Sequence, residues 1–212
     1  MKEPRELELK YHLEEKSDYA LMVEGCPPAH GLPPVKQENH YFDSARYDLA
    51  RRGGMLRLRF DGNLTLGFKL GSEQPGCPGF FDALEVECPT DPGLLQRALK
   101  DPRVLSELEL DPIRSLKEHC GNISLTGIGH LSTTRRYRML QEFLLELDEV
   151  IYDDGGGSYE LEIETSSPQQ ARRLLLLKFK QLSVNARPQH LSKLQALLQR
   201  SGIDIPGEDG CS

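Results

Sequence analysis

The stretch Arg5-Glu6-Leu7-Glu8-Leu9-Lys10 decides how the rest of this sequence is interpreted. Its even-numbered residues, Glu6, Glu8 and Lys10, are charged, and the residues between them are leucines. A period of two places the two sets on opposite faces of a β-strand. The pattern therefore predicts a strand with one apolar face and one face of mixed charge.

The same alternation recurs along the chain, always with charge on the polar face. The further stretches are Arg57-Leu58-Arg59, Glu85-Val86-Glu87, Arg136-Tyr137-Arg138, Glu146-Leu147-Asp148 and Glu160-Leu161-Glu162-Ile163-Glu164. A sheet of about eight antiparallel strands can close into a barrel that leaves no free edge and holds one small ligand. We therefore expect an α+β fold, in which a closed barrel keeps its charged residues inside and helices cover its apolar exterior.

Turn and capping signals separate the strands from the helices. Asp61-Gly62-Asn63 is a strong hairpin turn. Ser167-Pro168 begins a helix, and a final helix runs from about Ser192 to Ser201. We expect one domain over residues 1–205 and a disordered tail over residues 206–212.

The composition excludes several classes of protein. The chain has 212 residues and a formal net charge of −7, which argues against nonspecific nucleic-acid binding but allows an anion in a buried basic site. No apolar run is long enough to span a membrane, and the N-terminus has no apolar signal segment. The five cysteines form no CxxC pair and are interpreted as reduced thiols. We expect a cytoplasmic protein with no nucleic-acid or membrane partner, and a homodimer is left as an open alternative.

The ordered set of motifs resembles the triphosphate tunnel metalloenzymes, also called the CYTH superfamily. The resemblance covers residue 6 to about residue 198. The matching residues are Glu6-x-Glu8-x-Lys10, Tyr41-Phe42-Asp43-Ser44, Arg57-x-Arg59, Lys69, Glu85-x-Glu87, Arg136-x-Arg138, Asp148, Glu160-x-Glu162-x-Glu164 and Lys193. Ser44 departs from the threonine that the family commonly has after the aspartate. The resemblance implies a tunnel that binds a small-molecule triphosphate with divalent metal ions.

Paired carboxylates predict where the metal binds. Side chains at i and i+2 on one strand face can together ligate a hard cation, which requires oxygen ligands. We expect Glu6, Glu8, Glu160 and Glu162 to bind Mg²⁺ or Mn²⁺. Glu164 and Asp148 would complete the ligand shell or position water.

Basic side chains on the same faces predict an anion cradle. Arginine binds phosphate through a bidentate fork, and lysine acts as a point charge. The predicted cradle consists of Lys10, Arg57, Arg59, Lys69, Arg136, Arg138 and Lys193. Arg135 is left out because it lies in the opposite phase from Arg136 and Arg138.

These residues together predict a metal-dependent hydrolase of inorganic triphosphate or of a small triphosphate-containing compound. Metal and bases would neutralise the triphosphate, and a carboxylate would orient or deprotonate the attacking water. Glu85, Glu87, Asp148 and Glu164 are equal candidates for that carboxylate. The alternatives are a class IV type adenylate cyclase, a thiamine triphosphatase, or a polyphosphate-binding module without turnover.

Met55 favours inorganic triphosphate over thiamine triphosphate. The vertebrate thiamine triphosphatases resemble this chain around Arg57 and Arg59, and they place a tryptophan two residues before the first arginine. This sequence has Met55 there and contains no tryptophan. Methionine lacks the broad π face that attracts a cationic thiazolium ring.

Overall fold

The structure, a computed structural model, describes residues 5–205. The nine strands are β1 (Arg5–Leu13), β2 (Val35–Asp43), β3 (Gly54–Phe60), β4 (Leu64–Glu73), β5 (Phe80–Pro89), β6 (Thr126–Leu140), β7 (Phe143–Tyr152), β8 (Gly157–Glu164) and β9 (Ala186–Pro188). The five α-helices are α1 (Lys16–Gly25), α2 (Leu94–Lys100), α3 (Asp111–Cys120), α4 (Pro168–Leu182) and α5 (Lys193–Arg200). Residues 206–212, predicted to form a disordered tail, lie outside the described residues, and the domain boundary at residue 205 stays a prediction.

The first eight strands form a closed antiparallel barrel. Their order around the barrel is β5-β4-β3-β2-β6-β7-β8-β1, and β1 also pairs with β5. In this closure Lys10 of β1 lies opposite Glu162 of β8, and Leu9 lies opposite Phe80 of β5. The short strand β9 adds to β1. The predicted α+β fold with a closed barrel of about eight antiparallel strands is confirmed.

The apolar face of each strand points outward, where helices bury it. Leu9, Leu147 and Leu161 belong to a buried cluster that includes residues of α1 and α4, such as Met22 and Leu175. A second cluster joins the outer faces of β3 and β4 to α2 and α3. Removing this surface from water is the main force that holds the helices on the barrel. Of the four consecutive leucines in α4, two remain mostly exposed, so the helix is only half buried.

Helix α5 lies across one end of the barrel. Its side chains pack on inward residues of β2, β6 and β7, in a cluster that contains Tyr41, Leu131, Val150, Tyr152, Leu194, Leu197 and Leu198. Glycine at position 129 permits this approach, because a Cβ there would lie 2.6 Å from a methyl carbon of Leu197. Ser192 caps the helix, since its side chain accepts a hydrogen bond from the Gln195 backbone N–H. The cap positions the first residue of the helix, Lys193, at the barrel interior.

Between residues 5 and 205, no helix combines the length and the apolar character that crossing a membrane requires.

Candidate active site

The barrel encloses a cavity of about 230 Å³. Strands β1 to β8 and the start of α5 contribute its walls. The acidic residues that line it are Glu6, Glu8, Glu85, Glu87, Glu146, Glu162 and Glu164. The basic residues that line it are Lys10, Arg57, Arg59, Lys69, Arg135 and Lys193. Such a wall can bind both a cation and a polyanion, because most of its charged side chains have an opposite charge nearby that a ligand can replace.

Most of the residues that the sequence singled out meet at this cavity. Two of them, Asp148 and Glu160, are fully buried beside it, and both contact the ammonium group of Lys193. The exceptions are Arg136 and Arg138, which the sequence analysis placed in the anion cradle.

Arg136 and Arg138 point away from the cavity, so their predicted position is wrong. Arg136 donates a hydrogen bond to the Tyr19 hydroxyl of α1 at 2.7 Å. Arg138 donates to the backbone carbonyl of Val23, also in α1, at 2.7 Å. Both arginines therefore fasten α1 to the outer face of β6. The neighbouring residue Arg135, which is not in the predicted cradle, points inward instead.

Arg135 joins carboxylates of β7 and β8 inside the barrel. Its guanidinium binds Asp148 in a bidentate fork, with Nε 2.8 Å from Oδ1 and Nη2 2.7 Å from Oδ2. It also donates to Glu162 at 2.7 Å and to Glu146. A fork of this kind fixes the guanidinium plane, so Arg135 presents a rigid cation to the cavity.

Glu146 is a second cavity residue that is absent from the predicted site. Burial raises the pKa of Glu146 to about 7 against the opposing effect of Arg135, and the neighbouring carboxylates Glu162 and Asp148 add to the increase. The alternation Glu146-Leu147-Asp148 places both acids on one face, and it is the only signal in the sequence that points to Glu146. A carboxyl group with a pKa near neutrality can exchange a proton at physiological pH.

Glu162 has the densest set of cationic partners in the cavity wall. Lys193 lies 2.5 Å from it, Arg135 2.7 Å and Lys10 3.1 Å. Burial alone would raise the pKa of Glu162, but the three cations hold it well below its usual range. Glu162 is therefore a permanent carboxylate, as a metal ligand must be.

The opposite part of the wall pairs β3 and β4 with β5. Arg57 contacts Glu85 at 2.9 Å and Glu87 at 2.8 Å. Lys69 contacts Glu6 and lies 3.4 Å from Glu85. Burial and a hydrogen bond with Glu85 raise the pKa of Glu6. Burial would also raise the pKa of Glu85, but that hydrogen bond and the nearby cations lower it, so Glu6 is the more readily protonated member of the pair.

Arg59 differs from the other cavity cations because no carboxylate of the described residues contacts it, and Glu87 acts on it only from a greater distance. Within residues 5–205, its one hydrogen bond runs from Nε to the Asn39 side-chain oxygen, at 3.4 Å. Burial and the neighbouring Arg57 lower its pKa. A half-buried guanidinium with no carboxylate in contact is the kind of group that an anionic ligand would stabilise.

The carboxylates that the sequence assigned to a metal fit a divalent cation chemically, although their present partners are lysines and arginines. In the described part of the chain, no three acidic, histidine or cysteine side chains are arranged so that they could hold a metal ion. However, Glu160 is 1% exposed and neither of its oxygens accepts a hydrogen bond from a described residue. The Lys193 ammonium, 3.2 Å from Glu160 Oε2, supplies charge without hydrogen-bond geometry. A buried, incompletely satisfied carboxylate among other carboxylates suits a hard cation.

A second and larger cavity, of about 820 Å³, adjoins the first at the α5 end of the barrel. Glu8, Lys10, Met55, Lys69 and Ser192 line both cavities, which therefore share part of their walls. The larger volume falls in the range of about 300–1,000 Å³ that organic ligands occupy, whereas the smaller one lies below it.

Solved structures with the same fold come from plants, bacteria and archaea. HpAC1 from Hippeastrum, a candidate adenylyl cyclase described as having a dominant triphosphatase activity, is 27% identical with a TM-score of 0.80. That match covers 96% of this chain and 99% of HpAC1.

Two more distant structures show the fold alone. A candidate adenylate cyclase from Bacillus halodurans is 22% identical, with a TM-score of 0.67 and coverage of 91% of this chain and 97% of that one. The PH1819 protein from Pyrococcus horikoshii is 16% identical, with a TM-score of 0.59 and coverage of 92% and 99%. No protein of curated function matches the chain.

The family model of the CYTH domain matches residues 4–187. This range contains all eight strands of the closed barrel and ends within β9. The chain therefore belongs to the CYTH domain family.

Proposed function

We propose that this protein is a divalent-metal-dependent hydrolase that acts on inorganic triphosphate or on another small triphosphate. The observation that carries the proposal is the cavity inside the barrel, where six basic side chains face seven carboxylates. Pure anion binding needs the bases alone, so the carboxylates argue for a cation that binds together with the anion.

The basic residues would hold the phosphate chain. Arg57, Arg59 and Arg135 present planar guanidinium groups that match phosphoryl oxygens, and Lys10, Lys69 and Lys193 add point charges. Arg59 would bind first to the anion, because no carboxylate contact competes for it within residues 5–205. The other bases would exchange carboxylates for phosphate oxygens.

The carboxylates would hold Mg²⁺ or Mn²⁺. Glu6, Glu8, Glu160 and Glu162 are the proposed ligands, with Asp148 beside them. When bound, the divalent ion supplies charge neutralisation at the phosphoryl group that is transferred. Glu6 has a raised pKa and must be deprotonated to ligate a metal, so the affinity of this ligand set for the metal would fall as the pH is lowered.

Water activation would fall to a carboxylate of suitable pKa. The pKa values of Glu85, Glu87 and Asp148 lie below the ordinary range, so these groups are weak bases and would orient Arg57 and Arg135. Glu146, with a pKa of about 7, is the better proton acceptor near neutrality, and Glu164 stays a candidate.

A phosphate-release assay tests the proposal directly. Inorganic triphosphate, thiamine triphosphate and ATP are each supplied with Mg²⁺, with Mn²⁺ and with EDTA. We expect metal-dependent release of orthophosphate, fastest from inorganic triphosphate. Tight binding of triphosphate without turnover under every metal condition would instead support a polyphosphate-binding module.

A second candidate function is a class IV type adenylate cyclase, which the larger cavity favours. Its 820 Å³ at the α5 end would accommodate a nucleoside attached to a triphosphate in the smaller cavity. Chromatography of the ATP reaction separates the two functions, because a cyclase yields cyclic AMP and pyrophosphate whereas a hydrolase yields ADP and orthophosphate.

A further inference from the structure

One strip of the cavity wall carries no charge and has no part in the function proposed above. It consists of Gln37 and Asn39 on β2 and Thr133 on β6, which we call the neutral strip. All three side chains line the 230 Å³ cavity, and they are 6%, 3% and 3% exposed. Buried polar side chains of this kind normally find hydrogen-bond partners within the protein.

The barrel register places the neutral strip between two arginines. Gln37 lies opposite Thr133 in the β2–β6 pairing, and Asn39 lies opposite Arg59 in the β2–β3 pairing. Arg135 follows Thr133 by two residues on β6, so both side chains point into the cavity. The strip is thus flanked by one guanidinium on each side.

The hydroxyl group of Thr133 has no hydrogen-bond partner among the described residues, although its oxygen is fully buried. An unsatisfied buried hydroxyl destabilises a folded protein. Asn39 accepts its hydrogen bond from Arg59 on the side-chain oxygen, and this orients the amide N–H groups toward other acceptors. Both residues therefore offer hydrogen-bond donors for which residues 5–205 supply no acceptor.

We infer that the neutral strip binds the oxygens of one terminal phosphoryl group of the triphosphate, with Arg59 and Arg135 on either side of it. This inference rests on the proposed function. A terminal phosphoryl group has more acceptor sites than two guanidinium groups can fill, and the hydroxyl and amide donors satisfy the remainder. A third cation at this position would be repelled by the two arginines. Neutral donors form directional hydrogen bonds to the phosphoryl oxygens and add no charge.

Three threonine substitutions test the inference. Thr133→Val removes the hydroxyl while it keeps the shape, and Thr133→Ser keeps the hydroxyl. Thr134→Val is the matched control, because Thr134 is the adjacent residue on the outer face of the same strand. The affinity for inorganic triphosphate is measured by titration calorimetry in EDTA and again with Mg²⁺, together with KM and the thermal unfolding temperature.

We expect Thr133→Val to weaken triphosphate binding by about three- to ten-fold, as for the loss of one hydrogen bond. Thr133→Ser and Thr134→Val should bind as the wild type does. Thr133→Val should also unfold at the same or a higher temperature, because it replaces an unsatisfied hydroxyl with a methyl group. A merely structural role for Thr133 would lower the unfolding temperature instead.

Equal triphosphate affinity of Thr133→Val and the wild type would overturn the inference, and so would a lower unfolding temperature that accounts for the loss of binding. Neither result contradicts the proposed function, provided that the wild type hydrolyses triphosphate. If the wild type itself neither binds nor hydrolyses triphosphate, the proposed function fails, and the inference fails with it.

Discussion

The ammonium nitrogen of Lys193 lies 2.5 Å from Glu162 Oε1 and 2.9 Å from Asp148 Oδ2, with Glu160 at 3.2 Å. One lysine thus occupies a position among three carboxylates that a divalent cation would need. A triphosphate would attract Lys193 away from them, so metal and triphosphate should each bind more tightly in the presence of the other.

Lys193→Met should therefore raise the affinity for Mn²⁺ alone while it lowers the affinity for triphosphate alone. We expect each change to be on the order of ten-fold, because the loss or gain of one buried charge contact is worth at least about 1.4 kcal/mol. Electron paramagnetic resonance of free Mn²⁺ and calorimetry measure the two affinities. Lys180→Met, on the exposed side of α4, is the control. Unchanged Mn²⁺ affinity would show that Lys193 does not compete with the metal.

Glu162→Gln should abolish metal-dependent turnover and also destabilise the fold. The crowding of carboxylates suggests that removal of one would relieve repulsion, but Glu162 lies among three cations. Breaking a buried pair of this kind costs about 3–5 kcal/mol. Urea unfolding measures the loss, and Glu149→Gln on the outer face of β7 is the control. A variant as stable as the wild type would show that the ion pairs of Glu162 do not stabilise the fold.

Arg59→Met should weaken triphosphate binding by about ten- to hundred-fold with little loss of stability. Among residues 5–205, no carboxylate contacts Arg59, so its removal leaves no buried carboxylate without its partner. Arg138→Met should lower the stability and leave triphosphate binding unchanged, because Arg138 donates a hydrogen bond to the Val23 carbonyl on the outer face. Calorimetric titration and thermal unfolding of both variants measure the contrast. A binding defect in Arg138→Met would require a second anion site.

The stability of the metal-free protein should fall as the pH rises from about 4.5 to about 7, because of Glu146. Its pKa is about 7 in the folded state and 4.5 when unperturbed, so the folded state binds one more proton across this window. Glu146→Gln should remove this slope and stabilise the protein above pH 7 by about 1–3 kcal/mol. Urea unfolding at a series of pH values in EDTA measures the effect. Glu149→Gln should keep the wild-type slope, and a slope that survives Glu146→Gln would assign the titration elsewhere.

Met55→Trp should increase the kcat/KM for thiamine triphosphate relative to inorganic triphosphate. Met55 lines both cavities, so an aromatic ring there would face an organic group attached to the triphosphate. A tryptophan face over a thiazolium cation is worth about 0.5–2 kcal/mol, or roughly two- to thirty-fold. Steady-state rates with the two substrates provide the ratio. Met139→Trp on β6 serves as the control, since Met139 does not line either cavity. An equal ratio in Met55→Trp and the wild type would mean that no organic group lies beside position 55.

The amino-acid sequence by itself determined the closed barrel and the inward direction of five strands. Each of β1, β3, β5, β7 and β8 contains a stretch in which charged and apolar residues alternate, as in Arg57-Leu58-Arg59. Only one face of such a strand can pack beneath helices without burying unpaired charge, so the alternation alone chooses the face that points into the cavity. The turn at Asp61-Gly62-Asn63 and the cap at Ser192 likewise follow from local chemistry.

Only the tertiary structure decided the direction of β6. Residues 133–138 carry polar side chains on both faces, so a period of two cannot tell which face is inside. Arg136 and Arg138 face outward because α1 offers them the Tyr19 hydroxyl and the Val23 carbonyl, partners far away in the sequence. Arg135 faces inward because barrel closure brings it to Asp148 and to carboxylates of β7 and β8. These pairings depend on strand neighbours and helix docking, and alternation within one strand holds no information about either.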